Sequence, residues 1–244
     1  MKSFLVLQLR PNDEAADGEL QAIIKFGVLS NDEITRIRME KEGIPDINLD
    51  DFSGVIVGGG SSNVSDKEEE KSPEQQRFEK DLVKLLDKII EKDFPYLGAC
   101  YGIGILAIHQ KCPVSKEHFT EDVGPTEISL TEEAANDPLT RGLPKHFLAF
   151  VGHKEACQEQ PANSVLLATS KKCPVQMIRL KNNIYGLQFH PELDVPGIIQ
   201  RINIYKYAGY FPPEDADRII EICKQTKITV PPMILKKFIE RYRQ

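Results

Sequence analysis

An α/β fold, with a mostly parallel central sheet and helices on both of its faces, is what this sequence predicts. Three observations carry that reading. Short apolar runs alternate with helical patterns through the first half of the chain. One of those runs, Val55-Ile56-Val57, is continuously apolar, as a strand buried on both faces must be. A chain of 244 residues with 41% hydrophobic side chains also has enough material for a sizeable core.

The first strand is Ser3 to Leu9. A polar turn at Pro11 and Asn12 leads into a helical pattern from about Glu14 to Phe26, where Leu20, Ile23, Ile24 and Gly27 recur on one face. Ile34 to Met39 alternates apolar with charged residues, like a half-exposed strand, and the run Val55 to Val57 stops in Gly58-Gly59-Gly60. A polar stretch from Ser61 to Lys71 follows, in which Lys67 to Lys71 reads as a solvated face. Pro73 opens a helix with Phe78, Leu82, Leu85, Leu86 and Ile89 at helical spacing. Tyr96-Leu97-Gly98, entered through Pro95, is another short strand, and a helix runs from Cys100 through Ile105 to His109.

Cys112 to Thr169 reads as several short strands with turns at Gly124-Pro125, Asp137-Pro138 and Gly142 to Pro144. Val175 to Leu180 and Ile184 to Phe189 form a hairpin through Lys181-Asn182-Asn183. Beyond it the chain is helical, with proline starts at Pro212-Pro213 and Pro231-Pro232. The expected organisation is one domain, residues 1-210, with a C-terminal helical extension, residues 211-244, packed on its outside.

Composition narrows the function. With 31 Lys and Arg against 37 Asp and Glu, and no long basic run, a nucleic-acid partner is not expected. No apolar stretch reaches the length of a membrane span, and the run Phe4 to Leu9 is broken by Gln8, so no membrane association is expected either. Five cysteines without a CxxC pair do not make a disulfide framework, which points to a reducing, cytoplasmic setting. His109 and Cys112 lack a second ligand pair, and Gly58 to Ser62 has no Gly-Lys-Ser or Gly-Lys-Thr after it. Neither a metal nor any other cofactor is expected.

Chemistry concentrates in two places. Gly98-Ala99-Cys100-Tyr101-Gly102 lies between a short buried strand and a helix, where small residues two before and two after the cysteine let the backbone bend sharply. The helix N-terminus after Cys100 is expected to favour its thiolate. Gln188-Phe189-His190-Pro191-Glu192 ends the second hairpin strand. There His190 can act as general base toward a thiol, and Glu192 can reach its other ring nitrogen.

Cysteine elbow and His-Pro-Glu, in this order on an α/β chain, resemble the class I glutamine amidotransferases, closest to stand-alone proteins similar to the amidotransferase domain of GMP synthetase. The resemblance implies a flavodoxin-like domain, a mostly parallel sheet with a small antiparallel hairpin region. It further implies a catalytic triad of Cys100, His190 and Glu192 that attacks the side-chain amide of glutamine and releases ammonia from a glutamyl thioester. It places the oxyanion hole at Gly60 and Tyr101, with Gly59 beside them, and sets Gly104, Gln188 and His153 near the substrate. His153, in Val151-Gly152-His153-Lys154-Glu155, also has a purely structural reading. The small-molecule substrate is glutamine or another γ-glutamyl compound, and any ammonia-accepting synthetase is a separate chain.

One departure stands out. The glutamine-hydrolysing pattern reads Gly-X-Cys-X-Gly-X-Gln, and this chain has Gly104 where that glutamine stands. Hydrolysis of a different γ-glutamyl amide or peptide is therefore the alternative reading. A non-catalytic regulatory or binding protein on the same fold is a third, against which the intact triad argues.

Overall fold

The computed structural model describes residues 2–244. The first half winds as expected: β1 (Ser3–Leu9), α1 (Asp13–Gly27), β2 (Ile34–Arg38), a single turn α2 (Met39–Glu42), β3 (Phe52–Gly60), α3 (Pro73–Lys92), β4 (Tyr96–Ala99) and α4 (Tyr101–His109). Local chemistry sets the boundaries. Asn12 caps α1 by accepting from Ala15 N at 2.9 Å, and Ser72 caps α3 ahead of Pro73. Asp93 ends α3 in the left-handed conformation, and its carboxylate and carbonyl oxygens hold the Asn182-Asn183 turn. Met39, read as the end of a strand, instead begins α2 and is fully buried.

The second half contributes β5 (Val114–Ser115), β6 (Glu121–Leu130), β7 (His146–His153), β8 (Ala156–Cys157), β9 (Ser164–Ser170), β10 (Met177–Leu180) and β11 (Ile184–Leu187), then α5 (Val195–Ile204), α6 (Ala216–Lys224) and α7 (Val230–Tyr242). Strands β6, β7 and β9 are longer than the turn signals suggested, at 10, 8 and 7 residues. Gly124-Pro125 lies inside β6 next to a register shift, so it kinks the strand without ending it.

Nine strands form one sheet in the order β2-β1-β3-β4-β11-β10-β9-β6-β7, and β5 pairs β8 in a small antiparallel sheet. The pairings β2-β1, β1-β3, β3-β4 and β4-β11 are parallel, and this block has the 2-1-3-4-5 order of flavodoxin-like folds. The hairpin β10-β11 then continues the sheet into its antiparallel arm. Helices cover both faces. On one, α3 and α4 pack Phe78, Leu82, Leu86, Ile103 and Leu106 against Leu5, Leu7, Val55 and Val57. On the other, α1 and α7 pack Ile23, Ile234, Leu235 and Phe238 against Phe4, Val6 and Ile56. A third cluster joins α5 and α6 to Phe150 of β7.

Candidate active site

The register of the central strands brings the two motifs together. Ala99, the last residue of β4, is paired with Leu187, the last of β11, so the chain leaves both strands at the same carboxyl edge. Cys100 follows one strand and the Gln188 to Glu192 segment the other. Beside them the ends of β1 and β3 form the point where strand order reverses, the crevice in which such sheets bind ligands.

Cys100 sits at the strand-to-helix turn with φ 51° and ψ −95°, a conformation that L-residues rarely hold. Its neighbours explain how the turn closes. A Cβ on Gly98 would stand 2.6 Å from the carbonyl carbon of Gly102, and one on Gly102 would stand 2.9 Å from Val57 O. Both glycines are thus required by close approach of backbone to backbone. Tyr96 donates to Gly102 O at 2.9 Å and Cys100 N donates to Leu187 O at 2.7 Å, which hold the turn.

The triple glycine serves a related purpose. Expected to end its strand, it is the last part of β3. A Cβ on Gly58 would meet the Glu19 carboxylate at 2.6 Å, and one on Gly59 would meet His190 Cε1 at 2.6 Å and Cys100 Cβ at 3.2 Å. Bare backbone there lets β3 lie directly against the two reactive side chains.

His190 is buried, and its Nδ1 lies 2.9 Å from Glu192 Oε1 and 3.1 Å from Arg201 Nη1; with Nδ1–H donating to Glu192, Nε2 is the nitrogen able to take a proton. Around this pair is a buried network that sequence reading missed. Arg201 Nη2 donates to Glu192 Oε1 at 2.9 Å, and Glu19 accepts from Arg10 Nε at 2.8 Å and from Gln8 Nε2 at 2.9 Å. Arg201 Nη2 also reaches Glu19 Oε1 at 3.4 Å, so two arginines and two glutamates form one balanced cluster. A signal was present in the sequence. Glu19 shares the apolar stripe of α1 with Ile23 and Gly27, and Arg201 lies between the buried Ile198 and Ile202 of α5.

Electrostatics follow from this burial. Burial pushes the Cys100 thiol up to about 12 against the pull of Arg10 and Arg201, which reverses the expectation that the helix N-terminus favours a thiolate. Burial also lowers His190, and Glu192 only partly offsets it. For Glu192 burial works the other way, but the attraction of His190 and Arg201 outweighs it and holds the carboxyl well below its ordinary range. The resting pair is a neutral thiol beside a neutral imidazole, with a carboxylate behind the ring.

Cys100 lies between two cavities. One is polar in character and is lined by Gly60, Tyr101, Gly104, His153, Glu155 and Gln188. The other is bounded by His190, Arg10 and Arg201 with an apolar wall that includes Leu193, Ile202 and Phe211. Both touch Cys100, Gly60, Gly152 and Tyr210. The expected residues Cys100, His190, Gly60, Tyr101, Gly104, Gln188 and His153 thus gather around one point, whereas Gly59 faces Cys100 and His190 from behind.

A family model described as "Glutamine amidotransferase class-I" matches residues 20–196. The chain belongs to the class-I glutamine amidotransferases. It is 30% identical over 154 residues to a glutamine-hydrolysing GMP synthase of Thermosipho africanus, covering 63% of this chain and 26% of that one. It is also 30% identical over 147 residues to a glutamine-hydrolysing GMP synthase subunit of Thermoplasma volcanium, covering 60% of this chain and 65% of that one. The alignments thus span about a quarter of the first relative and about two thirds of the second. Among solved structures, a glutamine amidotransferase of Thermotoga maritima shares the fold with a TM-score of 0.78 at 23% identity, over 99% of both chains.

Within this amidotransferase fold the remaining expected residues have clear surroundings. A Cβ on Gly104 would stand 3.1 Å from Val64 Cγ2 and 3.6 Å from Glu155 Oε1. Glu155 accepts from Val64 N at 2.8 Å and from Ser65 N at 2.9 Å, so it pins the loop after β3 across the polar cavity. His153 has Nδ1 2.9 Å from Glu155 O and Nε2 2.9 Å from Glu121 Oε2, so both ring nitrogens are committed to protein oxygens. Gln188 is buried on the same cavity wall.

Among the described residues Glu121, His153 and Cys173 form the group able to hold a metal ion, with ligand atoms within 4.8 Å of one another. Their polar atoms already have partners. Glu121 accepts from His153, Gln176 and Ser170, and Cys173 Sγ lies 3.5 Å from Val175 O. His109 and Cys112 do not converge on a ligand site, for His109 meets Asp87 at 2.8 Å while Cys112 faces Glu159 O at 3.2 Å.

The stretch Lys67 to Lys71 is solvated only in part. Lys71 is half-buried against Glu79 at 2.6 Å, and Glu79 accepts from Tyr101 OH at 2.7 Å. That chain fixes the first residue of α4, and with it the amide next to Cys100.

Proposed function

We propose that this protein hydrolyses a γ-glutamyl amide, glutamine in the first instance, through a Cys100 thioester. The observation that carries the reading is a buried His190, oriented by Glu192 at 2.9 Å, lining one cavity with a cysteine held at a strained elbow. In this scheme Nε2 of His190 takes the thiol proton as sulfur attacks the γ-carbonyl carbon. The amides of Gly60 and Tyr101, on the cavity beside Cys100, offer hydrogen bonds to the developing oxyanion. Imidazolium then protonates the leaving nitrogen, the C–N bond breaks and ammonia departs. Water attacks the thioester with His190 again as base, returning glutamate and free thiol.

Glu192 supports this scheme in two ways. It fixes the ring so that Nε2 is the basic nitrogen, and it stabilises the imidazolium that forms twice in each turnover. Gly104, Gln188 and His153 line the glutamyl side of the pocket, with His153 acting through the position of the Glu155 loop. Relatives named as glutamine-hydrolysing GMP synthases support a role as ammonia donor to a separate synthetase, in the cytoplasm. No helix of the described residues is long and apolar enough to cross a membrane.

The test is ammonia release from glutamine by purified protein, beside Cys100→Ala and His190→Ala. Turnover in the parent and none in either variant is expected. Full turnover in Cys100→Ala would refute the proposal.

A further inference from the structure

Resting on that reading, we infer that the site accepts γ-glutamyl amides whose amine carries an apolar group of a few carbons, and that the cavity beside His190 binds this group. The direction of the proposed reaction decides which cavity receives the amine. His190 must protonate the leaving nitrogen, so the amine departs on the His190 side of Cys100. His190 lines one of the two cavities that meet at Cys100, and it does not line the polar one. The polar cavity, with Gly60, Tyr101 and Gln188, therefore holds the glutamyl part, and the other receives what leaves.

That second cavity is built for more than ammonia. Its wall includes the apolar side chains of Val123, Val151, Leu193, Ile198, Ile202 and Phe211, alongside His190, the two arginines and two tyrosines. On one measure its void is about 50 Å³ and that of the polar cavity about 20 Å³, against the roughly 10–15 Å³ that a single water needs. A lone ammonia would leave this surface unfilled, whereas an alkyl chain on nitrogen would cover it.

Charge favours the same class. Arg10 and Arg201 face the cavity, yet Glu19 and Glu192 neutralise them. A neutral alkyl group meets no uncompensated charge there. Tyr210 lines both cavities and donates to Gly60 O at 3.2 Å.

Gly104 is consistent with the arrangement. If glutamyl contacts are fewer than in relatives that carry glutamine at this position, binding of the amine portion takes a larger share of recognition. Glutamine, whose leaving group fills nothing, is then the poorest member of the series.

The experiment compares kcat/KM for glutamine, γ-glutamyl methylamide, γ-glutamyl ethylamide and γ-glutamyl butylamide with the full chain. A rise of about tenfold or more from glutamine to butylamide is expected. Val123 lines the cavity and is half-buried, so Val123→Trp should narrow it, with the thermal transition checked because Val123 also packs on the α5–α6 cluster. The substitution should lower kcat/KM for butylamide by a larger factor than for glutamine, and an equal loss for both would count against binding of the alkyl group in this cavity. Efficient glutamine turnover with butylamide refused would overturn this inference and leave the proposed function standing. Failure of every γ-glutamyl amide, with no adduct on Cys100, would overturn both.

Discussion

Cys100 carries a thiol that burial makes a weaker acid, next to a histidine that burial makes a weaker base, so proton transfer and attack must be coupled. This arrangement has a testable sign. Protonating His190 removes the base, and its pKa is lowered from 6.5, so kcat/KM should hold through neutral pH and fall only in the acid below that value. A rate–pH profile that falls already above neutrality would contradict it. Glu192, held below its ordinary 4.5, adds stability above that pH and loses the contribution as acid protonates it. Glu192→Gln keeps a hydrogen bond to the ring but not its charge, and kcat should drop by roughly a hundredfold or more with a smaller change in KM. A change confined to KM in steady-state kinetics would make Glu192 a binding residue. These candidate residues were legible because each stands in a short motif whose spacing has chemical meaning. Glu155 was not legible as a loop anchor, because its partners are backbone amides of Val64 and Ser65, about ninety residues away in the chain.

At the scale of elements, the strands and helices of the first half could be read because each carries its own periodicity and cap. The turn at Pro11 and Asn12, and Pro73, mark the starts of helices that the structure keeps, capped by Asn12 and Ser72. The glycines of β3 misled because a strand of bare backbone has no side-chain pattern, and what requires them are Glu19 and His190 on other elements. The same long-range character hid the Arg10, Glu19 and Arg201 cluster, which joins β1, α1 and α5 behind the triad. Each charge there depends on its neighbours, for Glu19 is fully buried. Glu19→Gln leaves two arginines to share Glu192, and removing one partner of a buried ion cluster costs about 3–5 kcal/mol. Urea unfolding should show a loss of that order, with kcat reduced because Arg10, left without its partner, draws on the Glu192 charge that faces His190. An unchanged unfolding midpoint would show that the cluster adds nothing to stability.

For the whole molecule, the sheet places its chemistry at one edge and divides its core between two faces. Helix α7 closes one of these faces, burying Val230, Ile234, Leu235, Phe238 and Ile239. Side chains of this kind are worth about 1.5–3 kcal/mol each when buried, a sum comparable with the ~5–15 kcal/mol total stability of a domain. We therefore propose that residues 211-244, though they follow the amidotransferase core in sequence, are part of its fold. Deleting residues 230–244 should abolish the cooperative thermal transition, and an unchanged Tm would mark the helix as dispensable.

The proposed function requires a covalent bond between Cys100 and a glutamyl group. The most direct test is mass spectrometry of protein quenched in acid during turnover of a γ-glutamyl amide, followed by peptide mapping. The account predicts one glutamyl adduct on the peptide that contains Cys100, absent from Cys100→Ala. An adduct on Cys112, Cys157, Cys173 or Cys223, or rapid turnover with no adduct at all under conditions that preserve thioesters, would contradict it.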